Sequence, residues 1–134
     1  MAVARFYEDL ADRLVDGAER VLREAGAGAE VHPVPGAFEL PLAARYCARS
    51  GRYEGVACVG AVIRGETDHY EYVCAEAARG IAQVSLETDV PCAFGVLTVD
   101  SMDQALERLG GKRHQGEDAA RAVLRMAELR RELG

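Results

Sequence analysis

Short continuous apolar runs alternate along the chain with longer stripes of apolar residues at helical spacing, and that alternation predicts an α/β protein. A first strand spans 2–6, Ala-Val-Ala-Arg-Phe. From 7 to about 25, Leu10, Leu14, Ala18, Val21 and Leu22 recur with charges between them, and Gly26 supplies a stop. A weaker strand covers 30–34. Its Pro33 cannot donate to a ladder, which confines it to a sheet edge or a strand end. Pro35-Gly36 breaks the chain before a helix over 38–49, with Leu40, Ala43, Ala44 and Cys47 on one side. Pro41 falls in its first turn, where a missing N–H costs little.

The run 55–62 is nearly all apolar, as a strand covered on both faces must be. A helix follows over 68–86, carrying Tyr72, Val73, Ala77, Ile81 and Val84. Pro91 opens a fourth strand over 92–97. Ser101, with Gln104 three residues on, forms a capping box for a short helix ending at 109. Residues 110–116 read as a loop, and a last helix over 117–133 carries Ala120, Val123, Leu124 and Ala127. The expected architecture is one domain, 1–134, with a single layer of four parallel strands flanked by helices on both faces, a flavodoxin-like three-layer sandwich. In such sheets a ligand lies beyond the carboxyl ends of the strands, which singles out Phe6, 35–37, 63–65 and 97–98.

Composition narrows the function. The net charge of −6, with no basic patch to offset it, argues against sequence-independent nucleic-acid binding but leaves room for a local phosphate site. No apolar run approaches the roughly 20 residues of a membrane span, and the N-terminus does not read as a signal peptide. Cys47, Cys58, Cys74 and Cys92 are widely spaced and fit free thiols in a reducing compartment. His32, His69 and His114 are too scattered for a metal motif. The expectation is a cytoplasmic protein with no metal and no cofactor.

The densest chemistry lies in 59–73, where an apolar strand stops at Arg64-Gly65 and polar residues open a helix. Unpaired N–H groups and the positive end of the helix dipole suit an anion there. Gly65 lets the backbone approach a ligand or simply makes a tight turn, and Thr67 adds a hydroxyl. His69 follows in the first helical turn, catalytic or merely solvated; an imidazole suits proton transfer near neutral pH. Phe6 can stack on a planar heterocycle or pack as a core residue. Glu39 can hold hydroxyls or serve the helix start. Phe94 has packing as its default inside an apolar strand, and Arg108 is either a solvated charge or a phosphate ligand.

Five segments together resemble the 6,7-dimethyl-8-ribityllumazine synthase family over essentially the whole chain. They are Arg5-Phe6, Pro35-Gly36-Ala37-Phe38-Glu39-Leu40-Pro41, the string Val62-Ile63-Arg64-Gly65-Glu66-Thr67-Asp68-His69-Tyr70, Phe94-Gly95-Val96-Leu97-Thr98, and Gln104 to Arg108. The resemblance implies condensation of 5-amino-6-(D-ribitylamino)uracil with 3,4-dihydroxy-2-butanone 4-phosphate in riboflavin biosynthesis, with release of phosphate and water. It implies that Phe6 stacks on the pyrimidine and that Ala37, Phe38 and Glu39 contact the ribityl chain. Ala61, Val62 and Ile63 would line the pyrimidine site, and Phe94 would close the pocket. Gly65, Glu66 and Thr67 would seat the phosphate, His69 would move protons, and Arg108 would reach the phosphate from an adjacent subunit. The family forms pentamers, some packed twelve to an icosahedral shell, so a homo-oligomer with sites between subunits is expected.

This sequence departs from the family pattern in three places. Tyr7 stands where the family usually has Asn, and Gln115 where it usually has Lys, with Lys112 and Arg113 nearby. The chain also begins almost at the first strand, without the family's usual lead segment. These departures are the support for an alternative, a non-catalytic relative that binds flavin- or pteridine-like ligands or acts as a scaffold. A flavodoxin-like or receiver-like binding module is the third reading. Receiver domains need clustered acidic residues after the first strand, where only Glu8-Asp9 appears.

Overall fold

The computed structural model describes residues 1–110 and 113–134. Strand β1 (Ala2–Ala4) leads into helix α1 (Glu8–Glu24), and β2 (His32–Val34) into a 3-10 turn (Ala37–Glu39) that continues as α2 (Leu40–Arg49). Strand β3 (Val56–Ile63), α3 (His69–Thr88), β4 (Cys92–Val99) and α4 (Met102–Glu107) follow. A two-stranded antiparallel ribbon, β5 (Leu109–Gly110) with β6 (Arg113–His114), then leads directly into α5 (Gln115–Leu133).

The strands of the main sheet are parallel in the order β2-β1-β3-β4, in agreement with the expected α/β sandwich. Pro33 pairs with Val3 on β2, and β2 is an edge strand, the position to which a ring without an N–H is confined. Period-two alternation in β3 divides the interior. Ala57, Val59 and Ala61 face one core, shared with Leu10, Leu14 and Ala18 of α1 and Ala119, Ala120 and Val123 of α5. Val56 and Cys58 face the other, shared with Leu40 and Ala44 of α2 and Val73, Ala77, Ile81 and Val84 of α3. Helices therefore cover both faces.

Small residues let these layers sit close. A Cβ added at Gly60 would stand 2.6 Å from that of Ala4, and one at Gly95 would stand 2.7 Å from that of Ala119. A Cβ at Gly116 would strike the Leu14 carbonyl, and one at Gly17 would strike the His114 ring, so α1 and α5 meet nearly backbone to backbone.

Element ends mostly fall within two residues of expectation, with instructive exceptions. Gly26 ends α1 at φ +75°, the left-handed region a glycine enters freely. Ser101 accepts from the Gln104 N–H at 3.2 Å, but the Gln104 amide oxygen accepts from Asp100 (2.8 Å) instead of completing the box on Ser101. The expected loop at 110–116 is corrected in part: its described residues contribute to the ribbon and the start of α5. There the His114 imidazole caps the helix, Nδ1 accepting from Gly116 (3.2 Å) and Glu117 (3.3 Å). Lys112, noted as a substitute for a missing cation, lies outside the described residues. No helix among the described residues is long and apolar enough to cross a membrane.

Candidate active site

Strands β1 and β3 are sheet neighbours, yet the chain visits the far edge at β2 between them. Their carboxyl ends are therefore the point at which successive connections diverge, the place where open α/β sheets hold ligands. A cleft of about 660 Å³ occupies it.

Its floor is the end of β3, Ala61, Val62 and Ile63. The exit of β1 supplies Phe6 and Tyr7, whose rings meet edge to face with centroids 5.0 Å apart at 76°. Phe6 is 74% exposed, a large apolar ring standing free at the mouth. The segment after β2 contributes Pro35 to Glu39. There the Glu39 carboxylate accepts from the Gly36 N–H at 3.0 Å, so the helix-start role of this residue is real and occupies one of its oxygens. The loop after β3 and the first turn of α3 complete the enclosure with Gly65, Thr67, His69, Tyr70, Tyr72 and Val73.

The loop is held from both ends. Arg64 N–H donates to the Val99 carbonyl (2.8 Å), extending the β3–β4 ladder by one residue. The Thr67 hydroxyl oxygen accepts from the His69 N–H at 3.3 Å, fixing the backbone where the imidazole departs. A Cβ added to Gly65 meets nothing within 4 Å, and Gly65 is not among the positive-φ residues. Neither packing nor backbone strain within the chain requires glycine there.

Charge is arranged to one side. The Arg64 guanidinium bonds Asp100 (2.8 Å), reaches Glu71 (3.5 Å) and lies 4.4 Å over the Tyr70 ring. The Asp100 hydrogen bond holds Arg64 above its ordinary range. That cation is thus spent on its own neighbours. Burial raises the Tyr70 phenol and the Cys74 thiol, so both remain neutral near pH 7. Among the described residues no Lys or Arg lines the cleft, and no group of His, Cys, Asp or Glu could hold a metal ion.

The structure brings together Phe6, Ala37, Phe38, Glu39, Ala61, Val62, Ile63, Gly65, Thr67 and His69. Three residues singled out in the sequence lie outside that lining. Glu66 is exposed on the same loop. Phe94, opposite Cys58 near the start of β4, packs on the core beneath α2 and α3. Arg108, the exposed C-cap of α4, accepts through its carbonyl from Gln115 N–H (3.0 Å). Sequence reasoning passed over Tyr72 and Val73 as lining residues, although their spacing from His69, three and four positions on, puts them on its helical face.

A family model described as 6,7-dimethyl-8-ribityllumazine synthase matches residues 1–131. Among curated proteins, a 6,7-dimethyl-8-ribityllumazine synthase of Syntrophus aciditrophicus (strain SB) is 51% identical over 137 residues, covering 99% of this chain and 89% of its own. A protein of the same description from Desulfatibacillum aliphaticivorans is 50% identical over 131 residues, covering 95% and 84%.

Proposed function

The chain belongs to the 6,7-dimethyl-8-ribityllumazine synthase family, and from that premise we propose how its cleft performs the family's reaction. The protein is a transferase of riboflavin biosynthesis that joins 5-amino-6-(D-ribitylamino)uracil to 3,4-dihydroxy-2-butanone 4-phosphate. The observation that carries the assignment of roles is the convergence of Phe6, Glu39, Thr67 and His69, from three separate segments, on one cleft at the sheet's divergence point.

The exposed Phe6 ring stacks on the pyrimidine above the apolar floor of Ala61, Val62 and Ile63. Ala37, Phe38 and Glu39 receive the ribityl chain. Gly65, Glu66 and Thr67 seat the phosphate through backbone N–H groups and the Thr67 hydroxyl, with the Glu66 carboxylate turned to solvent. The amine of the pyrimidine adds to the ketone and water leaves to give an imine; phosphate is then eliminated, and the second amine closes the ring with loss of water. Each step moves a proton, and His69 takes and returns it. Holding both substrates in one cleft removes the entropic cost of their encounter.

A phosphate leaving group calls for a cation, and among the described residues the cleft lining contains none. Arg108, exposed and without an ion pair among the described residues, supplies it from an adjacent subunit. The active unit is accordingly a homo-oligomer, a pentamer either alone or packed in twelves, built of one-domain chains spanning 1–134. The free thiols of all four cysteines fit a reducing cytoplasm.

The test is formation of the lumazine, followed by absorbance above the uncatalysed condensation. The wild-type chain is expected to turn over. His69→Ala is expected to be slower by about 100- to 10,000-fold with substrate affinity retained. An undiminished rate removes His69 from the mechanism. Binding of a ribityl-pyrimidine without any turnover makes the chain a non-catalytic relative.

A further inference from the structure

We propose that Tyr7 is a positioning residue for Phe6, and that the pair of rings sets how tightly the cleft accepts a planar heterocycle. The inference rests on the activity proposed above. Tyr7 is the N-cap of α1, a position that favours Ser, Thr, Asp or Asn because a short polar side chain can accept a helix N–H. Its side chain makes no such bond. The capping contact is given up, and Tyr7 lines the cleft.

The two neighbouring rings are held very differently. The Tyr7 carbonyl accepts from the Ala11 N–H at 2.9 Å, which locks its backbone to α1, and its side chain packs against the core shared by α1 and α5. Phe6 is 74% exposed and joins neither core, and its aromatic contact is the edge-to-face meeting with Tyr7. An exposed Phe samples several rotamers. An anchored ring at 5.0 Å and 76° selects among them and holds the face of Phe6 ready for a stacking partner. Aromatic pairs of this geometry contribute enough to change an affinity by about 2- to 12-fold.

The experiment compares Tyr7→Ala, Tyr7→Asn and Tyr7→Phe by steady-state kinetics and by fluorescence titration with a non-reacting ribitylaminouracil analogue. Tyr7→Ala and Tyr7→Asn are expected to raise KM for the aminouracil, and Kd for the analogue, by about 2- to 12-fold. KM for the butanone phosphate and kcat stay at wild-type values. Tyr7→Phe keeps the ring and is expected to match wild type throughout. Tyr7→Asn regains a cap but gives up the ring's packing on the core, so the diagnostic readout is the split between the two substrates, which a purely structural role for Tyr7 does not produce. Unchanged analogue affinity in Tyr7→Ala, equal losses for both substrates, or failure of Tyr7→Phe to restore binding overturns the proposal. A wild-type chain that binds the analogue without turnover defeats the proposed activity alone, and the titration still decides Tyr7. One that binds no analogue defeats both.

Discussion

Arg64 and Arg108 belong to neighbouring motifs, yet their surroundings assign them opposite fates. Arg64 is fastened to Asp100, Glu71 and the Tyr70 ring, so its charge stiffens the loop that carries Gly65 and Thr67. Arg108 is exposed and forms no ion pair among the described residues, so nothing described within the chain holds its charge. Hydrogen bonds to charged partners contribute about 1.5–3 kcal/mol. Arg108→Ala is therefore expected to raise KM for the butanone phosphate by about 10- to 100-fold and to leave that for the aminouracil alone. Equal kinetics for both substrates would reduce Arg108 to a surface charge. Most residues of the cleft lining were legible singly because strand ends are legible: Phe6, Ala37 and Gly65 each stand just beyond a strand. Tyr7 was legible only as an oddity, since its meaning depends on a ring contact and a missing cap that no one-dimensional pattern records.

At the scale of elements, periodicity located the four main strands and five helices, punctuation by Gly26 and Pro91 located ends, and Pro33 marked an edge strand. The ribbon of β5 and β6 escaped because two-residue strands have too few positions to show a period. Helix α5 begins two residues earlier than expected because its cap is an imidazole, outside the usual set of capping side chains. Strand order was not legible either; it is decided by which apolar faces meet across the fold. Ser101, by contrast, announces its helix and makes the bond that its type predicts. Ser101→Ala is expected to cost about 1 kcal/mol, read from urea unfolding. A shift indistinguishable from zero would mean that α4 is held by the packing of Ala105 alone.

For the molecule as a whole, the last helix is tied to the first by charge as well as by contact. Glu117 of α5 binds Arg20 of α1 and Arg121 one turn along (3.0 Å). Partial desolvation acts against its ionised form, but the hydrogen bonds from Arg121 and Arg20 prevail and hold the carboxyl below its usual range. A depressed value in the folded state stabilises the fold above the unfolded value near 4.5, and that contribution is lost as pH falls through the folded one. Glu117→Gln is expected to be less stable than wild type by about 0.5–1 kcal/mol at pH 7, allowing for the exposure of both arginines, with the difference shrinking as pH falls below 4.5 and through the folded value. A difference that persists in acid would have another origin. The tight seams at Gly60, Gly95 and Gly116 bear on the protein's history rather than its pH response. Enlarging one of these residues forces strands or helices apart, at about 1–3 kcal/mol, while trimming Ala4 opposite Gly60 or Ala119 opposite Gly95 removes a single methyl, and Gly116 faces the Leu14 backbone, which cannot be trimmed at all. Any descendant of this chain therefore meets an asymmetric cost at these seams, where adding a methyl to the glycine is resisted and losing one from the facing side is not.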